Sequence, residues 1–250
     1  MLMATSNASD TTYMLVIEAL KEFFPHHTLL SHYQVKNCLH DLTGVTKILH
    51  NMCPETWIAF TGPMKDHDIC STCDLMKGKK VPACTFTTIP IGPVLQALYA
   101  GPQTAEALYY HKWKTQDMLH SLVPGSTLPP TYDDFFCGTD YLLLHSEGNI
   151  QQDNICLMLS LDSAQLYEHW ASDCWMHVWV IMDIAPDQQY KKCYIIPGGF
   201  IPGPNKPGNI ESFLFPGLHH ISALQQEGSQ HFGDIFQQAM SGPPIIQLRS

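Results

Sequence analysis

The chain has 250 residues, 45% of them hydrophobic, and a formal charge of −10 from 13 Lys+Arg against 23 Asp+Glu. This suits a globular protein with a buried core and excludes both a disordered chain and a basic nucleic-acid-coating module, whose phosphate contacts need clustered cations. No apolar run approaches the ~20 residues of a membrane span, and the first ten residues lack the basic-then-apolar order of a secretory signal. The expected compartment is therefore intracellular, nucleus or cytoplasm, with no membrane partner.

In chain order, a polar leader precedes a first helix. Asp10 or Thr11 can cap it, and it runs from about Thr12 to Phe24 with Leu15, Ala19, Leu20 and Phe23 as its apolar stripe. Ser31 and Gln34 have the spacing of a capping box for a second helix, which carries Val35, Leu39 and Leu42 on one face and ends at Gly44. Residues 1–50 thus read as a helical hairpin. Residues 51–87 have a different texture, with Cys53, Cys70, Cys73 and Cys84 among short apolar pieces and the turn Thr61-Gly62-Pro63. Such a loop-rich unit has little core of its own and would gain from a staple. Residues 88–130 return to helix, with Pro93 and Pro102 near two helix starts, and close on a linker from Pro124 to Pro130.

The last stretch, 131–250, changes period. Ile155–Leu161 reads as a strand buried on both faces, Trp175–Met182 as a second strand and Tyr190–Ile196 as a third. The short connection at Ala185-Pro186-Asp187 suits antiparallel neighbours. Eight of the twelve residues from Pro197 to Gly208 are Gly or Pro, which argues for an irregular loop. A helix follows, carrying Ile210, Phe213, Leu214, Leu218, Ile221 and Leu224, with Pro216 expected to kink or restart it. The fold class expected is mixed α/β.

Nine cysteines in a reducing compartment read as free thiols or metal ligands rather than disulfides. Cys70-Ser-Thr-Cys73 is a C-x2-C pair that can place two thiolates on one tetrahedral zinc, and Cys53 supplies a third. The fourth ligand is left open among Cys84, His50 and His67. A redox role for the C-x2-C pair fits less well, because that chemistry belongs at a strand-to-helix turn. Asp162, after the first strand, is a carboxylate placed as metal-dependent phosphoryl chemistry requires, although Asp-Ser after a strand is also an ordinary turn. Lys206 is a cation for a phosphate only if its loop is a cradle, and the loop lacks P-loop order. Trp175 and Trp179 offer either a stacking surface or core packing, with core favoured. The short basic groups, Lys77-Gly-Lys-Lys80 and Lys191-Lys192, are too small to alter the charge argument.

Several segments resemble the fungal branch of CACTA-type (En/Spm-like) DNA transposases, in their N-terminal portion. They are Asn51–Pro54, Ile58–Pro63, Thr88–Leu98, Tyr132–Tyr141, Leu161–Tyr167, Ser172–Trp175 and, longest and most specific, Phe200–Phe215. The resemblance runs from about residue 12 to 235. It implies a zinc-ribbon-like unit followed by a ribonuclease-H-like core, here as three antiparallel strands plus a helix. It also implies a cut-and-paste mechanism with two magnesium or manganese ions on three carboxylates, and transposon-end DNA as a partner, with self or full-length transposase as another. The first catalytic aspartate falls on Asp162. The family's further cysteine, four residues after the first, is replaced by Trp57. The residues after the last helix do not resemble the family's continuation, so the second and third carboxylates are expected to be missing and the chain to be a truncated fragment, inactive alone. A non-catalytic zinc-binding interaction or DNA-binding module is the competing reading. An active nuclease drawing on Asp183 or Asp187 is a third and weaker one.

Overall fold

The structure, a computed structural model, describes residues 10–74, 83–122, 131–151, 154–165, 173–203 and 205–227. It divides into two compact units, Met1–Val45 and Thr46–Ser250. The Pro124–Pro130 linker and the tail after Glu227 lie outside the described residues.

In the first unit, α1 spans Asp10–Phe23 and α2 spans His32–Thr43. The capping box forms as its spacing demands: the Ser31 amide donates to Gln34 Oε1 at 2.8 Å, and the Gln34 amide to Ser31 Oγ at 3.3 Å. Gly44 follows with φ +64, the left-handed conformation that ends a helix cheaply only without a Cβ. The Tyr13 hydroxyl donates to the Leu30 carbonyl at 2.9 Å, tying the connection between the helices to α1.

The second unit is built on one antiparallel sheet. Its strands are β1 (Ile48–Met52), β2 (Cys84–Thr88), β3 (Leu157–Gln165), β4 (Asp173–Ile181) and β5 (Ile195–Pro202). They lie in the order β1-β2-β5-β4-β3, every pair antiparallel. Helices α3 (Ile91–Ala100), α4 (Pro102–Leu108), α5 (Tyr110–Ser121), α6 (Thr139–Ser146), the short α7 (Pro186–Gln189) and α8 (Ile210–Glu227) accompany it. Alternation along β4 divides the core. Trp179 and Ile181 pack with Ile91, Leu95 and Leu108 under α3 and α4, with Ile221 and Leu224 of α8 beside them. Val180, followed by Met182 beyond the strand end, packs with Phe136 and Tyr141 beside α6. The fold is thus mixed α/β, with three consecutive antiparallel strands and a helix following, as the sequence pattern indicates.

Three expectations are corrected. The first strand is not buried on both faces: β3 is an edge strand whose residues from Leu157 to Asp162 alternate between half-buried and exposed. The third strand starts at Ile195 rather than Tyr190, because residues 190–194 are spent on the turn after α7. The Gly/Pro stretch is not wholly irregular, since 197–202 forms most of β5, between β2 and β4. Glycine is required at that place. A Cβ on Gly199 would lie 2.5 Å from His177 Cε1 and 2.6 Å from the Thr87 carbonyl oxygen. Pro197 is tolerated because it faces Val178 where the ladder is irregular, between His177 and Val178, so the missing N–H falls at a break in the pairing.

Candidate metal centre

Three thiols converge at the end of β1. Cys53, Cys70 and Cys73 each place a sulfur within 4.8 Å of the other two, and Cys53 Sγ lies 3.2 Å from Cys73 Sγ. Cys53 and Cys70 are fully buried and Cys73 partly so, packed with Ile58 and Phe60. Tetrahedral thiolate coordination at ~2.3 Å bonds needs sulfurs of this mutual spacing, so the donor set fits a soft divalent metal. Burial pushes the Cys70 thiol up. The Thr72 and Cys73 amides, with the Cys73 and Cys53 thiols, outweigh it and leave Cys70 below its ordinary range.

Local sequence makes both turns. After Met52 the chain doubles back: the Cys53 amide donates to the Ile58 carbonyl and the Thr56 amide to the Cys53 carbonyl, each at 2.9 Å. Thr56 closes the turn with φ +61. The second turn is closed by the Asp74 amide on the Cys70 carbonyl at 2.9 Å, with Asp74 at φ +56. The segment Asn205–Asn209 grips the first turn: the Gly208 amide donates to the Thr56 carbonyl at 3.1 Å and the Asn209 amide to the Trp57 carbonyl at 2.8 Å. The start of α8 holds the next residues, because the Ala59 amide donates to Ser212 Oγ at 2.9 Å and the Thr61 hydroxyl to the Ser212 carbonyl. Nothing in the sequence pattern pointed to that clamp.

Cys84 is not part of the cluster. It stands opposite Met52 in the β1–β2 register, and paired residues share a face. Cys84 therefore packs with Met52, Phe86 and Phe213, whereas Cys53, one residue past Met52, joins Ile58 and Phe60 on the other side. His50 shares the Met52 face and stacks on Phe86 at 5.0 Å, and burial lowers its pKa. His67 is exposed. Trp57 does not stand in for a ligand, since its ring lies over Gly208, where a Cβ would meet it at 2.4 Å.

Asp162 lies inside β3, exposed, opposite Met176, with its Oδ1 accepting from the Ser163 amide at 2.7 Å. Among the described residues it belongs to no cluster of three candidate ligands. Asp183 does not approach it. Asp183 follows the far end of β4, seven residues beyond the partner of Asp162, about 20 Å away at ~3.3 Å per residue. It is buried and committed elsewhere. His111 Nδ1 donates to Asp183 Oδ1 at 2.8 Å, and the Cys156 amide to Oδ2 at 2.7 Å. Asp187 sits in α7, further along the chain in the same direction. Trp179 is core, as expected, and Lys206 lies 5.6 Å over the Trp175 ring rather than in a phosphate cradle.

The fold is mixed α/β, and beside the end of β1 it gathers three thiols that could hold a metal ion. Comparisons with family models, curated proteins and solved structures find no match to this chain. Among the described residues no helix is long and apolar enough to cross a membrane.

Proposed function

We propose that the chain is a zinc-stapled, non-catalytic binding module of transposase descent. The observation that supports it is the contrast between Cys53, Cys70 and Cys73, which converge on one point, and Asp162, which among the described residues stands in no cluster of three donors. Two-metal phosphoryl transfer needs several carboxylates around its ions, whereas a structural zinc needs thiolates set on a rigid turn. The ancestry rests on the sequence blocks alone, above all Phe200–Phe215. Its Asn205–Asn209 segment has a use compatible with this reading, because it fixes the cysteine turn. Zinc is favoured over a harder cation because thiolates are soft donors, and the metal would lend this turn-rich region the cohesion that its small thiol-centred core lacks.

Elemental analysis of purified protein is expected to give about one zinc per chain. A folded, fully reduced sample without metal would sink the reading. With magnesium or manganese the protein is expected not to nick DNA. Robust nicking that disappears in Asp162→Ala would replace the module with a nuclease. Transposon-end DNA is the partner that the descent suggests, and a charge of −10 makes its binding weak and steeply salt-dependent.

A further inference from the structure

We infer that the fourth coordination position of the three-thiol centre lies at Thr56 and is taken by a water molecule hydrogen-bonded to Thr56 Oγ1. This rests on the zinc reading above and adds to it what completes the tetrahedron.

Four observations meet there. Thr56 is three residues after Cys53, as Cys73 is three residues after Cys70, so threonine stands where a second C-x2-C pair would carry its second thiol. Its side chain is fully buried, yet Oγ1 has no hydrogen-bond partner. A buried hydroxyl left without a partner costs about 1–3 kcal/mol, which a bound water would recover. Thr56 also holds φ +61, a region that β-branched residues avoid. The Cys53 carbonyl and the Gly208 amide fix its backbone on both sides, so this conformation is imposed by the clamp. Finally, the described residues bring no fourth Cys, His, Asp or Glu to the cluster, and residues 75–82 contain none.

Three thiolates on a divalent zinc already carry one net negative charge, each thiol having released its proton on binding. A neutral water completes the tetrahedron without adding a further buried anion, as zinc sites with an exchangeable position do.

Cobalt(II) loading of the full chain under a non-thiol reductant tests this, because tetrahedral cobalt reports thiolate number in its ligand-to-metal charge-transfer intensity. Wild type is expected to show three thiolates. Thr56→Cys should raise the intensity by about one third and tighten cobalt binding about tenfold or more. Thr56→Val should keep three thiolates. A folded, loaded Thr56→Cys protein with a three-thiolate spectrum overturns the assignment. So does Trp57→Cys gaining a thiolate where Thr56→Cys does not. Wild type that takes up no cobalt overturns the zinc reading itself, a failure distinguishable from both.

Discussion

Among its described residues the second unit holds two groups of three candidate metal ligands, Cys53/Cys70/Cys73 and His111/Cys156/Asp183, and they differ in how their atoms are satisfied. In the second group the imidazole and the carboxylate are both fully partnered. His111 Nδ1 donates to Asp183, while its Nε2 accepts from the Tyr141 hydroxyl at 2.7 Å. The Thr115 hydroxyl lies 2.7 Å from that of Tyr141, and the His111 ring stacks on Phe136 at 4.3 Å. Burial and the Asp183 carboxylate push the Cys156 thiol up to about 12, so it stays protonated and is a poor ligand. This closed network welds α5 and α6 to the end of β4. In the first group the sulfurs face one another, and the Thr72 and Cys73 amides also reach Cys70. Ligand count therefore says little: soft thiols gathered on one another fit a metal better than a carboxylate already committed to an imidazole.

The largest expected effect breaks the first group. Cys70→Ser should abolish zinc uptake and lower stability by several kcal/mol, read as metal stoichiometry and a denaturant midpoint. Zinc retained at full stoichiometry would dissolve the contrast. Next, Asp183→Ala should cost about 3–5 kcal/mol, because it strands the His111 ring and the Cys156 amide in the interior. Metal content of that variant should not change, and a loss of zinc would mean that the two groups are coupled.

A third buried site sharpens the comparison from between them. His177 is buried among Trp179 and the Gly198–Gly199 backbone, and neither ring nitrogen makes a well-formed hydrogen bond. Burial lowers its pKa to about 4, and a loose approach to the Gly198 backbone offsets only part of this. The folded pKa lies below the unfolded value of about 6.5, so the unfolded chain binds more protons between them. Its contribution is thus complete above about pH 6.5 and shrinks as pH falls toward 4, by on the order of 3 kcal/mol over the window. A melting-temperature profile across that window should flatten in His177→Gln. An unchanged slope would assign the acid sensitivity to other groups.

Local signals were legible in proportion to how local their physics is. The Ser31–Gln34 box, Gly44 and the helix starts at Pro93 and Pro102 depend on neighbours within a turn, and each takes the role that its spacing requires. The order of three antiparallel strands and a helix was likewise readable from apolar period and connection length. The Gly/Pro run was misread because its glycines answer to His177 and Thr87, contacts about 20 and 110 residues away in sequence that no local rule contains.

The site divides along the same line. The sequence by itself pointed to the three thiols that converge, since a C-x2-C pair and a nearby cysteine in a turn-rich segment limit where thiols can go. Only the tertiary structure removed Cys84 and His50, because strand pairing puts them on the face opposite Cys53. It also brought Gly208 and Asn209 onto the cysteine turn, and it picked out Thr56, whose buried hydroxyl and left-handed backbone have no signature in composition or spacing. Side-chain chemistry is written in the chain, but which face it meets is fixed by register, and register is settled across the whole sheet.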